Sequence, residues 1–104
     1  MINLNRLKNY SKISDGVGVF GQFDKVEEEF EELDDEIHKF DTATVLKVSY
    51  TELEEQKDKM KAEALDLITA TYNLLVKLDV EKIDIDKHCE KMASYLAKGG
   101  KYNP

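Results

Sequence analysis

Apolar residues recur at steps of three and four along residues 23–40, the spacing that places side chains on one face of an α-helix. Polar and mostly acidic residues fill the positions between them. The pattern predicts a long amphipathic helix, from about Phe20 to Phe40, that buries its apolar face. The apolar row consists of Phe23, Val26, Phe30, Leu33, Ile37 and Phe40.

A second long helix is predicted from about residue 51. Thr51 is a suitable N-cap, and Glu54 three residues later completes a capping-box pattern. Apolar residues are densest in the C-terminal half of this helix, so we expect that half to be buried on nearly all sides and to form the centre of the fold. Its two apolar rows are Met60, Ala64, Leu67, Thr71, Leu74 and Leu78, and Leu65, Ile68, Tyr72 and Leu75.

Two shorter helices are predicted at the ends of the chain. Residues 1–13 show near-helical apolar spacing, and a last helix from about Val80 or Glu81 to Ala97 ends before two consecutive glycines, which favour the left-handed conformation at a helix end. In that last helix Cys89 falls in the apolar register and is expected in the core. Residues 41–44 are expected to break the first long helix. Residues 45–50 fit either a helical turn or an extended connector.

These elements predict a single all-α domain spanning residues 1–104. We expect a helical bundle of two long antiparallel helices, with shorter N- and C-terminal helices and almost no strand. Two strongly apolar rows provide more apolar surface than one chain of this length can cover. Oligomerisation, as a homodimer or homotetramer, is therefore expected to complete the bundle.

Charge and composition narrow the possible partners. The chain carries 15 basic and 22 acidic residues, a net charge of −7, with no basic arm, which argues against nucleic-acid polymers and anionic membranes. No run of eighteen apolar residues and no apolar leader occur, so we expect no membrane association. Cys89 is the only cysteine, which excludes an internal disulfide and favours a reducing, cytoplasmic location.

Gly16, Gly18 and Gly21 match the spacing of a dinucleotide-binding GxGxxG motif. That motif binds a pyrophosphate when it follows a buried strand within a βαβ unit. No strand-like segment precedes these glycines, and nothing later in the chain suggests a parallel sheet. The pattern therefore favours a glycine-rich loop that leads into the first long helix.

Acidic residues form a further row at the edge of each long helix. Glu29 and Glu32 lie one position before two members of the first apolar row, and Glu63 and Asp66 have the same spacing in the second helix, among Ala, Leu, Ile and Thr residues. Antiparallel packing would bring the four carboxylates to one place. Four oxygen ligands suit Mg²⁺ or Mn²⁺. The alternative is a solvated acidic face, which is common in charged helices.

The acidic segments also resemble a known family. The stretch EEFEEL at residues 28–33, followed by EALD at residues 63–66, is similar to the EExxE and ExxD motifs of the MazG-like all-α nucleoside triphosphate pyrophosphohydrolases, a superfamily that includes dimeric dUTPases. The resemblance extends from about Gln22 to Tyr95. The gap between the two motifs is longer than is usual in that family, and an arginine expected near the end is missing.

The resemblance implies roles for individual residues. It implies that Mg²⁺ binds to Glu29, Glu32, Glu63 and Asp66. It makes Glu28 a catalytic candidate that orients water, and Lys91, on the last helix, a catalytic and phosphate-binding candidate. Gln22 and Tyr95 become candidates for substrate binding. Asn73 shares the helix face of Asp66 and is a further substrate-binding candidate, with a purely structural hydrogen bond as the alternative.

The sequence therefore predicts a Mg²⁺-dependent enzyme that cleaves a nucleoside triphosphate to the monophosphate and pyrophosphate. The alternative is a non-enzymatic acidic helical module that binds another protein. A di-iron carboxylate bundle is disfavoured, because neither long helix contains the ExxH motif that such sites use.

Overall fold

The computed structural model describes residues 2–99, which form a short 3₁₀ helix and three α-helices. The 3₁₀ helix spans Asn5–Ser14 and packs against the second α-helix. The α-helices are α1 (Val19–Val45), α2 (Tyr50–Lys77) and α3 (Lys82–Ala97). No strand occurs in residues 2–99, so the all-α prediction is confirmed over this part of the chain.

Helix α1 is longer than the sequence predicts, because the expected break at residues 41–44 does not occur. Thr44 remains helical and donates its side-chain Oγ1 to the Phe40 carbonyl at 2.9 Å, so its hydroxyl is satisfied within the helix. The helix ends after Val45. Lys47 adopts a left-handed conformation with φ of 54°, and the Val48 N–H bonds back to the Ala43 carbonyl at 3.3 Å. The ambiguous segment is therefore a helix end and a tight turn.

Helix α2 begins two residues earlier than predicted, and its N-cap is Ser49 rather than Thr51. The Ser49 side chain accepts a hydrogen bond from the Glu52 N–H at 3.2 Å. The Ser49 backbone is extended, and the chain is already helical at Tyr50, which places Thr51 inside the first turn. The capping pattern predicted for Thr51 and Glu54 is therefore wrong.

Helices α1 and α2 form an antiparallel hairpin. Gln22, near the start of α1, donates to the Ala70 carbonyl near the end of α2 at 2.9 Å. Towards the turn, Gln56 of α2 donates to the Glu36 side chain at 2.6 Å and to the Glu36 carbonyl at 3.0 Å. From the first pair to the second, α1 advances by as many residues as α2 goes back, so the two helices keep one register and lie side by side over most of their length.

The apolar row predicted on α1 divides into two sets. Every second member is only partly buried: Val26, Leu33 and Phe40. The remaining members, which we call the outer row, are exposed: Phe23, Phe30 and Ile37. Two adjacent faces of α1 are thus apolar, and only one of them is shielded within the chain.

The chain alone has little core. Ala70 is the only apolar residue that is fully buried in residues 2–99. The accessible surface is 8483 Å² and the radius of gyration is 17.0 Å, whereas a compact monomer of 12.0 kDa has about 6,000 Å² and about 13 Å. The expectation that the C-terminal half of α2 is buried on all sides is wrong for the single chain, because Leu65, Ile68, Leu75 and Leu78 are exposed.

Helix α3 extends away from the hairpin and makes almost no contact with the other helices. Asp79, with φ of 57°, turns the chain out of α2. A capping box then starts α3: Glu81 caps the helix, and its own N–H donates to Asp84 Oδ2 at 2.9 Å. Cys89 is exposed, so its predicted place in the core is wrong for the single chain, since no other helix covers α3.

The glycine stop predicted after α3 is seen at Gly99, which has φ of 123°. Its second glycine and the predicted loose tail, residues 100–104, lie outside the described residues. In residues 2–99, no helix combines the length and the apolar character that crossing a membrane requires.

The Gln56–Glu36 contact gives a first testable prediction. Hydrogen bonding from Gln56, with a smaller contribution from Lys39, lowers the pKa of Glu36. Because the pKa is lowered by folding, this contact stabilises the hairpin above the unfolded pKa of about 4.5, and the stabilisation is lost as the pH falls through the lower folded value. We expect Gln56→Leu to lower the melting temperature at pH 7 by a few degrees and to have less effect at pH 3, as measured by circular dichroism. An equal loss at both pH values would contradict this.

Candidate metal centre

Three carboxylates from two helices meet on the inner face of the hairpin. One oxygen each of Glu29, Glu63 and Asp66 lies within 4.8 Å of the others. A second group, formed by Glu28, Glu29 and Glu32, satisfies the same limit and shares Glu29 with the first. The hairpin register brings Glu29 opposite Glu63, and the spacings of three and four along each helix place the remaining acids on the same side.

Glu29 lies at the centre of both groups and is the most buried of these acids, at 7% exposed. Lys25 Nζ binds Glu29 Oε1 at 2.9 Å and Glu28 Oε1 at 3.3 Å. The other oxygen, Glu29 Oε2, is buried and has no hydrogen-bond partner among the described residues. The same is true of Glu63 Oε2. Buried carboxylate oxygens without a donor are costly, and two of them in one cluster indicate a place for a cation.

The electrostatics of the cluster favour the uptake of positive charge. The negative charge of Glu29 is the main cause that raises the pKa of Glu32, followed by a hydrogen bond that Glu32 can donate to Glu29 only when it is protonated. Burial and Glu63 have smaller effects. On the other side, the hydrogen bond to Glu29 is the main cause that raises the pKa of Lys25. The acids therefore repel one another, and Lys25 offsets only part of their charge.

The set of ligand atoms fits Mg²⁺ or Mn²⁺. Every candidate ligand is a carboxylate oxygen, and no histidine or cysteine belongs to either group. Zinc sites in proteins favour nitrogen and sulfur ligands, whereas hard divalent cations favour oxygen. The buried oxygens of Glu29 and Glu63 have free lone pairs for such an ion.

A cavity of about 530 Å³ adjoins the acids. Its wall includes four carboxylates: Asp24, Glu28, Glu29 and Asp66. Gln22 and Asn73, which the sequence predicts as substrate-binding residues, also line it, and they are only 4% and 3% exposed. A volume of this size is typical of a site for a small organic ligand.

Several lining residues were not predicted from the sequence. The 3₁₀ helix and the loop after it contribute Ile13, Ser14 and Val17, and Lys25 contributes its ammonium group. The glycines at positions 16, 18 and 21 were a signal that the chain turns tightly here, but the sequence did not show that this turn lies over α2. Lys25 precedes Glu29 by one helical turn, a spacing that could have identified their ion pair.

Two predicted residues are not brought to the acids within one chain. Lys91 and Tyr95 lie on α3, where the Lys91 ammonium is 5.9 Å from the centre of the Tyr95 ring. Neither residue lines the cavity beside the acids. A role for either one at the phosphates would therefore require α3 of a second copy to reach this cavity.

Comparison with known proteins identifies no relative of the chain. No family model matches the sequence, and no curated protein and no solved structure match it. The similarity to the MazG-like pyrophosphohydrolases thus rests on the short acidic motifs at residues 28–33 and 63–66, and membership of that superfamily stays a prediction.

Proposed function

We propose that the protein is a Mg²⁺-dependent pyrophosphohydrolase that cleaves a nucleoside triphosphate to the monophosphate and pyrophosphate. The observation that carries this proposal is the pair of buried, unpartnered carboxylate oxygens on Glu29 and Glu63. Glu29 also lines a cavity of about 530 Å³, whereas Glu63 does not. A triphosphate is highly anionic and could approach this acidic surface only with cations. Paired acidic helices beside a ligand-sized cavity fit that requirement.

In this proposal each residue of the cluster has a defined task. Glu29, Glu32, Glu63 and Asp66 hold Mg²⁺, which when bound supplies charge neutralisation and activation of water. Glu28 is exposed at the edge of the cluster and accepts a proton from the attacking water. Lys25 holds Glu28 and Glu29 in fixed positions through its two ion pairs.

We also propose that the active form contains at least two copies of the chain. The accessible surface exceeds that expected for a compact monomer of 12.0 kDa by about 2,500 Å², whereas a stable interface buries about 800 Å² per partner. The outer row of α1 and the exposed apolar residues of α2 and α3 are surfaces available for such contacts. In this assembly Lys91 and Tyr95 bind the phosphates from a neighbouring chain. An exposed Cys89 fits a reducing compartment, which supports a cytoplasmic location.

The second candidate function is a non-enzymatic acidic module that binds another protein. The exposed apolar face of α3, which includes Ile85 and Leu96, favours it. Divalent cations distinguish the two hypotheses. An enzyme with this centre should melt at a higher temperature when Mg²⁺ or Mn²⁺ is added at low millimolar concentration, because the ion binds only the folded protein.

The reaction products give the most direct test of the proposal. A panel of ribonucleoside and deoxyribonucleoside triphosphates should yield monophosphate and pyrophosphate in equal amounts from at least one nucleotide, with Mg²⁺ required. Chromatography of the nucleotides, together with a pyrophosphate assay, measures both products. Diphosphate and orthophosphate from every nucleotide tested would contradict the proposal, even if the metal dependence were observed.

A further inference from the structure

We propose that Lys25 determines which divalent ion the acidic centre prefers. Its ammonium group occupies one oxygen of Glu29 and leaves only the other oxygen for an ion, which favours Mg²⁺ over Ca²⁺. This inference rests on the metal centre of the proposed function, but it depends neither on the reaction nor on the substrate.

Lys25 binds two of the acids at defined atoms. Its Nζ lies 2.9 Å from Glu29 Oε1 and 3.3 Å from Glu28 Oε1. All three residues lie on α1, so the contacts follow from helical spacing alone and need no other element of the fold. Lys25 also lines the cavity beside the acids. A positive charge of the chain therefore lies next to the place proposed for the ion.

The two oxygens of Glu29 have different surroundings. Oε1 accepts a hydrogen bond from Lys25, whereas Oε2 is buried and has no hydrogen-bond partner among the described residues. Glu63, on the facing helix, also has a buried Oε2 without a partner there. Glu29 and Glu63 belong to one acidic group together with Asp66. Glu29 can therefore offer this group a single oxygen for as long as Lys25 stays on the other.

The number of oxygens that a carboxylate offers affects the choice of ion. Ca²⁺ takes about six to eight oxygen ligands in a flexible arrangement and often binds both oxygens of one carboxylate. Mg²⁺ is smaller, requires nearly ideal octahedral geometry and keeps several water molecules. A Glu29 side chain limited to one oxygen meets the needs of Mg²⁺ but removes a ligand that Ca²⁺ could use.

The charge of Lys25 alone would not separate the two ions. Mg²⁺ and Ca²⁺ carry the same charge, so a nearby ammonium group repels both to a similar extent. Only its position on Glu29 Oε1 affects one ion more than the other. The ratio of the two affinities therefore distinguishes the proposed role from a general electrostatic one.

Isothermal titration calorimetry with Mg²⁺ and Ca²⁺, in the absence of any nucleotide, tests this role. Lys25→Met keeps a long side chain and loses the ammonium group, so both oxygens of Glu29 become available. We expect this variant to gain at least about tenfold more in affinity for Ca²⁺ than in affinity for Mg²⁺. Lys25→Arg keeps a charged donor at this position and should retain the wild-type ratio of the two affinities.

The matched control is Lys61→Met, which removes the same charge from α2. Lys61 pairs with the exposed Asp58 at 3.8 Å and does not line the cavity. It also contacts none of the acids in the two groups at ion-pair distance. Its variant should therefore change the affinities for Mg²⁺ and Ca²⁺ by the same factor.

The remaining outcomes separate this inference from the metal centre itself. If Lys25→Met changes both affinities equally, as the control does, the inference is overturned and the metal centre stands. If the wild type binds neither ion, the metal centre and the proposed function are wrong, and the inference is wrong with them.

A second measurement covers the case in which Lys25→Met is unfolded without an ion. Circular dichroism can then follow its refolding as each ion is added, because binding drives folding. The ratio of the two midpoint concentrations replaces the ratio of affinities, and a ratio equal to that of the wild type would overturn the inference.

Discussion

Glu63→Gln is expected to abolish Mg²⁺ binding and to lower turnover more than a hundredfold. Replacing a residue that only holds a metal ligand in place typically lowers metal affinity or activity about 10–100-fold. Glu63 is proposed to be a ligand itself, so its loss should have a larger effect. The variant should fold as well as the wild type, or slightly better, because one negative charge leaves a cluster in which the acids repel one another. Calorimetry measures metal binding, and the release of pyrophosphate measures turnover.

The matched control for this prediction is Glu55→Gln. Glu55 lies on the same helix, is exposed and belongs to neither acidic group, so its variant should bind metal and turn over as the wild type does. Asp66→Asn should behave like Glu63→Gln. Unchanged Mg²⁺ and Mn²⁺ binding in both Glu63→Gln and Asp66→Asn would show that the centre has been assigned wrongly.

Phe30→Glu is expected to convert the assembled protein to a monomer and to destabilise it strongly. Phe30 is the middle member of the outer row and is 58% exposed in the single chain. If a second copy covers this row, the new carboxylate would be buried without a partner in an already acidic surface. Removing a hot-spot aromatic side chain at the centre of an interface costs about 2 kcal/mol or more of binding free energy. Analytical ultracentrifugation at micromolar concentration measures the assembly, and thermal denaturation measures the stability.

Glu31→Gln provides the control, since it changes the charge of the neighbouring exposed residue without altering the outer row. That variant should sediment and melt like the wild type. A wild-type protein that sediments as a monomer at micromolar concentration would refute the proposed assembly, whatever Phe30→Glu does.

The helices could be predicted because their signal is local. Spacing of three and four identified α1, α2 and α3, and the first two form the expected antiparallel pair. The helix ends were less accurate. Ser49 and Thr51 both suit an N-cap, and only the backbone conformation showed which of them comes before the first helical residue.

The site could be predicted only in part, because its other properties depend on how the helices pack in three dimensions. The sequence placed Glu29 and Glu63 on facing helices, and the structure brings them together. It could not show that one oxygen of each lacks a donor, since this depends on what packs around the pair. Nor could it place the 3₁₀ helix beside Asn73, because a tight glycine-rich loop can lead the chain in several directions.

The shared register of the hairpin limits which insertions and deletions the chain can accept. The two hydrogen-bonded pairs, Gln22–Ala70 and Glu36–Gln56, lie on either side of the acids. One residue inserted between Gln56 and Glu63 would rotate Glu63 by about 100° around α2 and remove it from Glu29. Between Glu32 and Glu63 the chain has thirteen residues of α1, a four-residue turn and thirteen residues of α2. Sequence drift can therefore change the length of this gap only where both helices change together by whole turns, or within the turn itself.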